Sequence, residues 1–272
     1  MRIALTGATG LVGRFLQAAI TRAGHRCVPL TGWRLGRPAE LAGCDALIHA
    51  AFAHVPGRYR GGEGDDPQGF WATNVEGSID LFENARAQGV RRVQFLSSRA
   101  VYDGHPPGAP LPDGTPVRPA SLYGEAKVAV EEHLARMNSA GFRASWLRAT
   151  GVYGPGRGHK WCGLFADFQA GRPIAPRVAT EVHGDDLADA ATRVIDAGAS
   201  GAFNVSDLIL DRRDLLAAVG DVTGQVHPLP VAADASGLSV MTCHRLHDLG
   251  WRPGGMALLR KTLPHMVLSN CS

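Results

Sequence analysis

Tyr123 and Lys127 lie four residues apart in the segment SLYGEAK, and Ser98 follows the apolar run VQFLS at 93–97. On a helix, residues at that spacing share a face, so the phenol and the ammonium would point the same way. A serine at the end of a strand lies at the carboxyl edge, where open α/β sheets receive their ligands. Hydroxyl, phenol and ammonium converging there make a proton-transfer site for an alcohol or a carbonyl. A free phenol has a pKa of about 10. A neighbouring ammonium favours the phenolate and brings that value toward neutrality. Tyr123 would then take the proton of a substrate hydroxyl and return it in the reverse direction, while Ser98 holds the substrate oxygen.

The segment TGATGLVG at 6–13 spaces three glycines as GxxGxxG between an apolar strand and a helix. Gly7 would permit a tight turn, Gly10 would let backbone approach a pyrophosphate, and Gly13 would let helix and sheet pack closely. The helix N-terminus would offer the anion free N–H groups and a positive dipole end. Contacts to a nicotinamide dinucleotide are therefore expected along Gly7, Thr9, Gly10, Leu11, Val12 and Gly13. With that cofactor, hydride would pass to or from the nicotinamide as Tyr123 moves the proton, and Lys127 would also grip the adjoining ribose. The acidic residue that commonly binds the adenosine ribose is missing near Thr31, where Arg34 follows instead, with Arg37 close by. This favours NADP over NAD through the 2′-phosphate, although Arg34 reads equally well as a surface arginine.

These residues need a parallel sheet to hold them. Short apolar runs at 2–6, 26–31, 45–49, 92–97 and 144–148 alternate with amphipathic stretches at 11–22, 70–88 and 121–139. That is the βαβ pattern. The helix at 70–88 is expected to turn Ala72, Val75, Ile79, Phe82 and Ala85 to one side. Between residues 31 and 45 the chain is too short for a full crossover and strand, so one element of the doubly wound unit is expected to be reduced or absent. After 148 the chain becomes irregular. Helices are expected near 185–196 and 212–222, a strand near 202–205, and a closing helix within 249–263. The expected fold is α/β, a Rossmann-type doubly wound parallel sheet over residues 1–150. A small C-terminal substrate-binding lobe over 151–272 would interleave with that sheet.

The segments TGATGLVG, DALIHAA, NVEG at 74–77, FLSSRAVY, SLYGEAK, LRATGVYGPG, VHGDDLADA and FNVSD occur in an order that resembles the extended short-chain dehydrogenases/reductases. Among these, the chain is most similar to the NAD-dependent epimerase/dehydratase family, over most of its length. The resemblance implies a catalytic Ser98 (in preference to Ser97), Tyr123 and Lys127. It also implies an Asn74 near the active site, Ala50 and Ala51 lining the cofactor cleft, and a homodimer formed through the helices at 70–88 and 121–139. Asn74 is otherwise readable as a helix polar residue capped by its neighbours.

Departures from the family pattern narrow the chemistry. Sugar-nucleotide dehydratases carry an Asp-Glu pair after the catalytic serine or threonine, and this chain has Arg99 and Ala100. The arginine that grips a nucleotide diphosphate falls at Ala179, with Arg177 near enough to substitute, and a family asparagine is replaced by Gly151. The lobe is also shorter than expected for a whole nucleotide sugar. These points favour a smaller sugar-like hydroxyl or carbonyl compound, with an epimerase that retains NAD as the alternative and a non-catalytic cofactor-binding regulator as the remote one. Arg157, His159, Lys160 and Trp161 form a cationic-aromatic cluster that could receive an anionic or polyhydroxyl substrate, and that reads equally well as a solvated loop with one packed tryptophan.

With 28 basic and 25 acidic residues mixed along the chain, nothing marks a nucleic-acid or membrane surface. Five cysteines without CxxC spacing suit reduced thiols and neither a zinc site nor a disulfide framework. No metal-ligand spacing occurs among the eleven histidines, and no stretch reaches the length of a membrane span. The expected compartment is the cytoplasm and the expected partner a small-molecule substrate.

Overall fold

The computed structural model describes residues 1–54, 64–156 and 158–268. The chain opens with β1 (Arg2–Thr6), α1 (Leu11–Arg22), β2 (Arg26–Pro29) and β3 (Ala46–His49). It continues with α2 (Pro67–Trp71), α3 (Gly77–Ala87), β4 (Arg92–Ser98), α4 (Leu122–Met137) and β5 (Arg143–Ala149). The second half supplies β6 (Gly151–Tyr153), α5 (Cys162–Gln169), β7 (Val178–His183), α6 (Gly184–Asp196) and β8 (Gly201–Val205). It ends with β9 (Leu208–Asp211), α7 (Arg212–Thr223), α8 (His244–Asp248) and α9 (Gly255–Leu268).

Six parallel strands form the central sheet in the order β2-β1-β3-β4-β5-β8. Helices on both faces explain why β3 and β5 are buried at consecutive positions instead of alternating ones. Leu16 and Ile20 of α1 and Leu187 and Val194 of α6 cover one face, whereas Phe82 of α3 and Val130 and Leu134 of α4 cover the other. A smaller sheet, β6-β7-β9, pairs β6 parallel and β9 antiparallel to β7. It carries a third core with Phe165, Leu216 and Leu263. The later half therefore contributes β8 to the central sheet as well as building this second layer.

The short connection behaves as its length requires. No helix or strand forms between β2 and β3, and β2 is left as the sheet edge. The connecting loop nevertheless buries Ala39 and Leu41. Its backbone is satisfied from α3. Asn84 Nδ2 and Gln88 Nε2 each donate to the Ala39 carbonyl at 2.8 Å, and Gln88 Oε1 accepts from Leu41 N at 2.7 Å.

The helix expected over 70–88 is interrupted. Asp66 caps α2 by accepting from Gly69 N at 2.8 Å, and Pro67 occupies the first turn. A π-helical turn over Ala72–Glu76 then separates α2 from α3. The wider turn shifts the apolar stripe, so Val75, Phe82 and Ala85 are buried as expected while Ala72 is exposed.

No helix among the described residues is long and apolar enough to cross a membrane, and no group of three or more His, Cys, Asp or Glu among them could hold a metal ion. Cys27, Cys44 and Cys243 are free thiols. Cys162 corrects the reduced-thiol expectation, because it is disulfide-bonded.

Candidate active site

Two of the three glycines that run from the end of β1 into α1 are required sterically. Gly7 adopts φ +67°, and a Cβ there would come within 2.8 Å of Ala50 C and Ala51 N. A Cβ on Gly13 would overlap the Gly7 carbonyl and the Ala8 backbone. Gly10 is different. A Cβ there would meet only the Gly7 carbonyl, at 3.4 Å, and both Thr9 and Gly10 are exposed. As the N-cap of α1, Gly10 has no side chain to cap the helix, and no acidic residue lies in the first turn. The N–H groups of Leu11, Val12 and Gly13 are thus left to a ligand, the arrangement that suits a pyrophosphate.

The strand ends beside this turn are tied together by a chain the sequence did not announce. Thr6 Oγ1 accepts from Ala50 N and Ala51 N, both at 3.1 Å, and donates to His49 Nδ1 at 2.7 Å. His49 Nε2 lies 3.0 Å from Ser78 Oγ, whose proton goes to the Asn74 carbonyl at 2.5 Å. With Ser78 committed as a donor there, His49 carries its proton on Nε2 and is neutral. Burial, reinforced by the charge of Lys127, pushes His49 down to about 3. Asn74 lies in the π turn and is fully buried. Its Oδ1 accepts from Ala53 N at 2.7 Å, and its Nδ2 donates to the carbonyls of Ala53 at 2.9 Å and Phe70 at 3.0 Å. It straps down the segment that runs on from Ala50 and Ala51.

Ser98 ends β4, half-buried, and its Oγ accepts from Ala100 N at 3.2 Å. Its neighbour Ser97 is buried and its hydroxyl is bonded to Glu131, so of the two Ser98 is the one free to meet a ligand. Ser121 caps α4 by accepting from Gly124 N at 3.2 Å. Gly124 stands so close to the turn after Ser98 that a Cβ would lie 2.7 Å from the Ala100 carbonyl. That approach brings Tyr123 beside the end of β4. One turn on, Lys127 is buried and donates to the Leu96 carbonyl at 2.8 Å, with its Nζ 5.6 Å from the centre of the Tyr123 ring. Burial pushes the Lys127 ammonium down to about 7, with Glu131 opposing. Tyr123 and Lys127 thus lie together on α4 against β4, the strand that Ser98 ends at the carboxyl edge of the central sheet.

Arg34 lies exposed in the loop after β2, with its carbonyl accepting from Arg37 N at 3.1 Å. It stands on the β2 side of the glycine turn, at the sheet edge.

A separate cleft with a cavity volume of about 100 Å³ opens over the smaller sheet, with Lys160, Trp161, Arg177, Glu181 and Arg212 in its wall. Lys160 and Glu181 form an ion pair there, and burial works against the charge of each while the partner supports it. The pair fills the space a side chain at Gly151 would need, since a Cβ would overlap Glu181 Oε2 and Lys160 Nζ. Trp161 is stacked on Tyr153 with ring centres 4.9 Å apart. His159 is buried, and its Nε2 donates to the Met266 carbonyl at 3.0 Å, which turns it into the lobe. Arg157 lies outside the described residues.

Residues 3–206 match the NAD dependent epimerase/dehydratase family. The chain belongs to that family. A UDP-glucose 4-epimerase of Mycolicibacterium smegmatis is 29% identical over 298 aligned positions, covering 93% of this chain and 94% of that one. A UDP-glucose 4-epimerase of Streptomyces lividans is 32% identical over 152 positions, covering 47% of this chain and only 44% of its own length. The solved Thermus thermophilus UDP-glucose 4-epimerase in complex with NAD superposes with a TM-score of 0.76 at 25% identity, covering 99% and 100% of the two chains.

As a member of the NAD dependent epimerase/dehydratase family, the chain is an NAD(P)-dependent enzyme of the extended short-chain type. Its departures from the family pattern have structural counterparts. Arg99 and Ala100 lie in the 3-10 turn that Ser98 caps, with Arg99 donating to Asp103 at 2.9 Å. Gly151 leaves room that Lys160 and Glu181 occupy, and Ala179 lines the same cleft as Arg177. Thr6, His49, Ser78, Phe52 and Glu131 escaped the sequence reading. The sole signal for them was position inside the segments IALTG, ALIHAAF, NVEGS and YGEAKVAVE.

Proposed function

We propose that this protein is an NAD(P)-dependent oxidoreductase acting on a hydroxyl or carbonyl of a small sugar-like substrate through Ser98, Tyr123 and Lys127. The observation that supports it best is the buried Lys127, its ammonium 5.6 Å from the centre of the Tyr123 ring and bonded to the Leu96 carbonyl two residues before Ser98. When bound, the nicotinamide dinucleotide supplies or accepts the hydride. Gly7, Thr9, Gly10, Leu11, Val12 and Gly13 would hold its pyrophosphate, and Ala50, Ala51 and Asn74 would line its cleft. Arg34 would favour the 2′-phosphate of NADP. Ser98 holds the substrate oxygen through its hydroxyl proton, and Tyr123 takes or returns the substrate proton at its phenolic oxygen. Lys127 lowers the cost of the phenolate by its charge. Lys160, Trp161 and Arg177 would receive the polar remainder of the substrate, whereas His159 holds the loop in place.

A second reading, a nucleotide-sugar epimerase that keeps NAD through its cycle, is favoured by the likeness to the Mycolicibacterium smegmatis UDP-glucose 4-epimerase over 94% of that protein. The alignment runs over 298 positions against the 272 residues of this chain, so the relative is the longer protein and the argument from a short lobe stands. Denaturing freshly purified protein and identifying the released nucleotide separates the two. Near-stoichiometric NAD supports the epimerase, while an empty site that binds NADPH reversibly supports the dehydrogenase or reductase. In either case Tyr123→Phe abolishes turnover and leaves cofactor binding nearly intact, and substantial residual turnover would remove Tyr123 from the chemistry.

A further inference from the structure

Lys127 is buried to 3% exposure, and among the described residues the one hydrogen-bond acceptor of its ammonium is the Leu96 carbonyl. A buried ammonium needs more compensation than that. Glu131, the next residue up the same face of α4, has its oxygens engaged by Arg148 of β5 and by Ser97. His49 of β3 is neutral, and Tyr123 presents its ring at 5.6 Å. The remaining side of the ammonium is covered by aromatic faces. The Phe95 ring centre lies 4.5 Å from Nζ, and the Phe52 ring centre lies 3.8 Å away.

Phe52 comes directly after Ala50 and Ala51, in the segment that Thr6 and Asn74 tie down. Its ring also meets Tyr123 edge-on at 5.2 Å and 80°, and Phe70 at 5.6 Å and 71°. The ring thus touches both members of the proton-transfer pair and is held from behind by α2. The negative face of an aromatic ring attracts a desolvated cation, an interaction that Leu of similar volume does not provide.

We infer that Phe52 is the positioning residue for Lys127, its ring face seating the ammonium between the Leu96 carbonyl and the Tyr123 ring. This rests on the Ser98–Tyr123–Lys127 reading for its catalytic meaning, but the contact is testable without turnover. The chain has only three lysines, Lys127, Lys160 and Lys261, so lysine-selective isotope labelling yields three side-chain signals to follow by NMR, with Lys127→Arg assigning one of them.

Phe52→Leu keeps an apolar neighbour and removes the ring face. The Lys127 titration midpoint is expected to fall by about one pH unit, the scale of a desolvated cation–π contact. Phe52→Trp, with the stronger ring, is expected to raise the midpoint, and that rise is the readout if the leucine variant fails to fold. Once a substrate is in hand, the pH profile of kcat should shift in Phe52→Leu and return in Phe52→Trp, which a merely structural loss would not do. Midpoints unchanged across the ring and leucine variants overturn the inference even if Tyr123→Phe is inactive. Shifted midpoints with an active Tyr123→Phe uphold the contact and overturn the catalytic reading instead.

Discussion

Arg148 of β5 grips Glu131 of α4 with three hydrogen bonds. Nη2 donates to Oε2 at 2.6 Å, and Nε donates to Oε2 at 3.1 Å and to Oε1 at 3.2 Å. Both side chains are buried, and Arg148 Nη1 also donates to the Tyr102 hydroxyl at 2.6 Å. Tyr102 passes its proton to Asn204 on β8 at 3.0 Å. Because Glu131 stands one helical turn from Lys127, the pair that docks α4 on the sheet also sets where Lys127 and Tyr123 stand.

Removing one partner of a buried pair leaves the other charged and uncompensated. Glu131→Gln is therefore expected to lower stability by about 3 kcal/mol, read from the urea midpoint at constant m-value. Asp167→Asn, which breaks the exposed pair with Arg172, is expected to cost less than about 1 kcal/mol. Equal losses for the two variants would show that the buried pair does not seat α4.

The glycines of the turn separate the fold from the cofactor. Gly13→Ala overlaps backbone of Gly7 and Ala8. It is expected to cost about 1–3 kcal/mol of stability as well as dinucleotide binding. Gly10→Ala meets ordinary contact distance, so stability should hold within about 1 kcal/mol while nucleotide affinity falls. Thermal denaturation with and without nucleotide measures both. A Gly10→Ala variant that binds normally would remove the turn as the pyrophosphate site.

Arg34→Ala is expected to weaken NADPH binding about tenfold and NADH binding little, as loss of a charge-assisted contact to one phosphate predicts. Fluorescence titration of the two nucleotides decides it. Equal losses would leave the preference for NADP without support.

Asp186 offers a pH test at the start of α6. Burial first, then Asp207, Asp185 and Asp189, push its carboxyl up to about 6 from 3.8, against a hydrogen bond from Gly254 N. A raised carboxyl destabilises the folded state wherever it is ionised, so the cost is complete above about pH 6 and is relieved as pH falls toward 3.8. Asp186→Asn, which can still accept from Gly254 N, is expected to be more stable than the parent at pH 7. That advantage should vanish by about pH 4. An advantage independent of pH would mean that the carboxyl does not titrate in this window.

Much of the fold was legible because its causes are local. Buried parallel strands read as short apolar runs, the GxxGxxG turn lies within eight consecutive residues, and Tyr123 and Lys127 share a face through helical spacing alone. The chain was too short between β2 and β3 for another element, and none forms there.

The remaining features depend on partners far away in the chain, which only strand order brings together. Phe52 reaches Lys127 because β3 lies next to β4 in the sheet, although β3 and α4 are distant in sequence. Glu131 meets Arg148 because α4 packs across β5. The π turn that aims Asn74 at Ala53 has no local signature, and it moved Ala72 out of the stripe that helical periodicity assigned to it. The cluster at 157–161 shows the same limit. Its composition read equally as a ligand site or a solvated loop, whereas packing against Met266 decided that His159 faces inward and pairing with Glu181 decided that Lys160 faces the cleft. Sequence alone determined which groups could do chemistry and which elements would carry them. The tertiary structure decided their direction, burial and charge, because those depend on neighbours that no local pattern encodes.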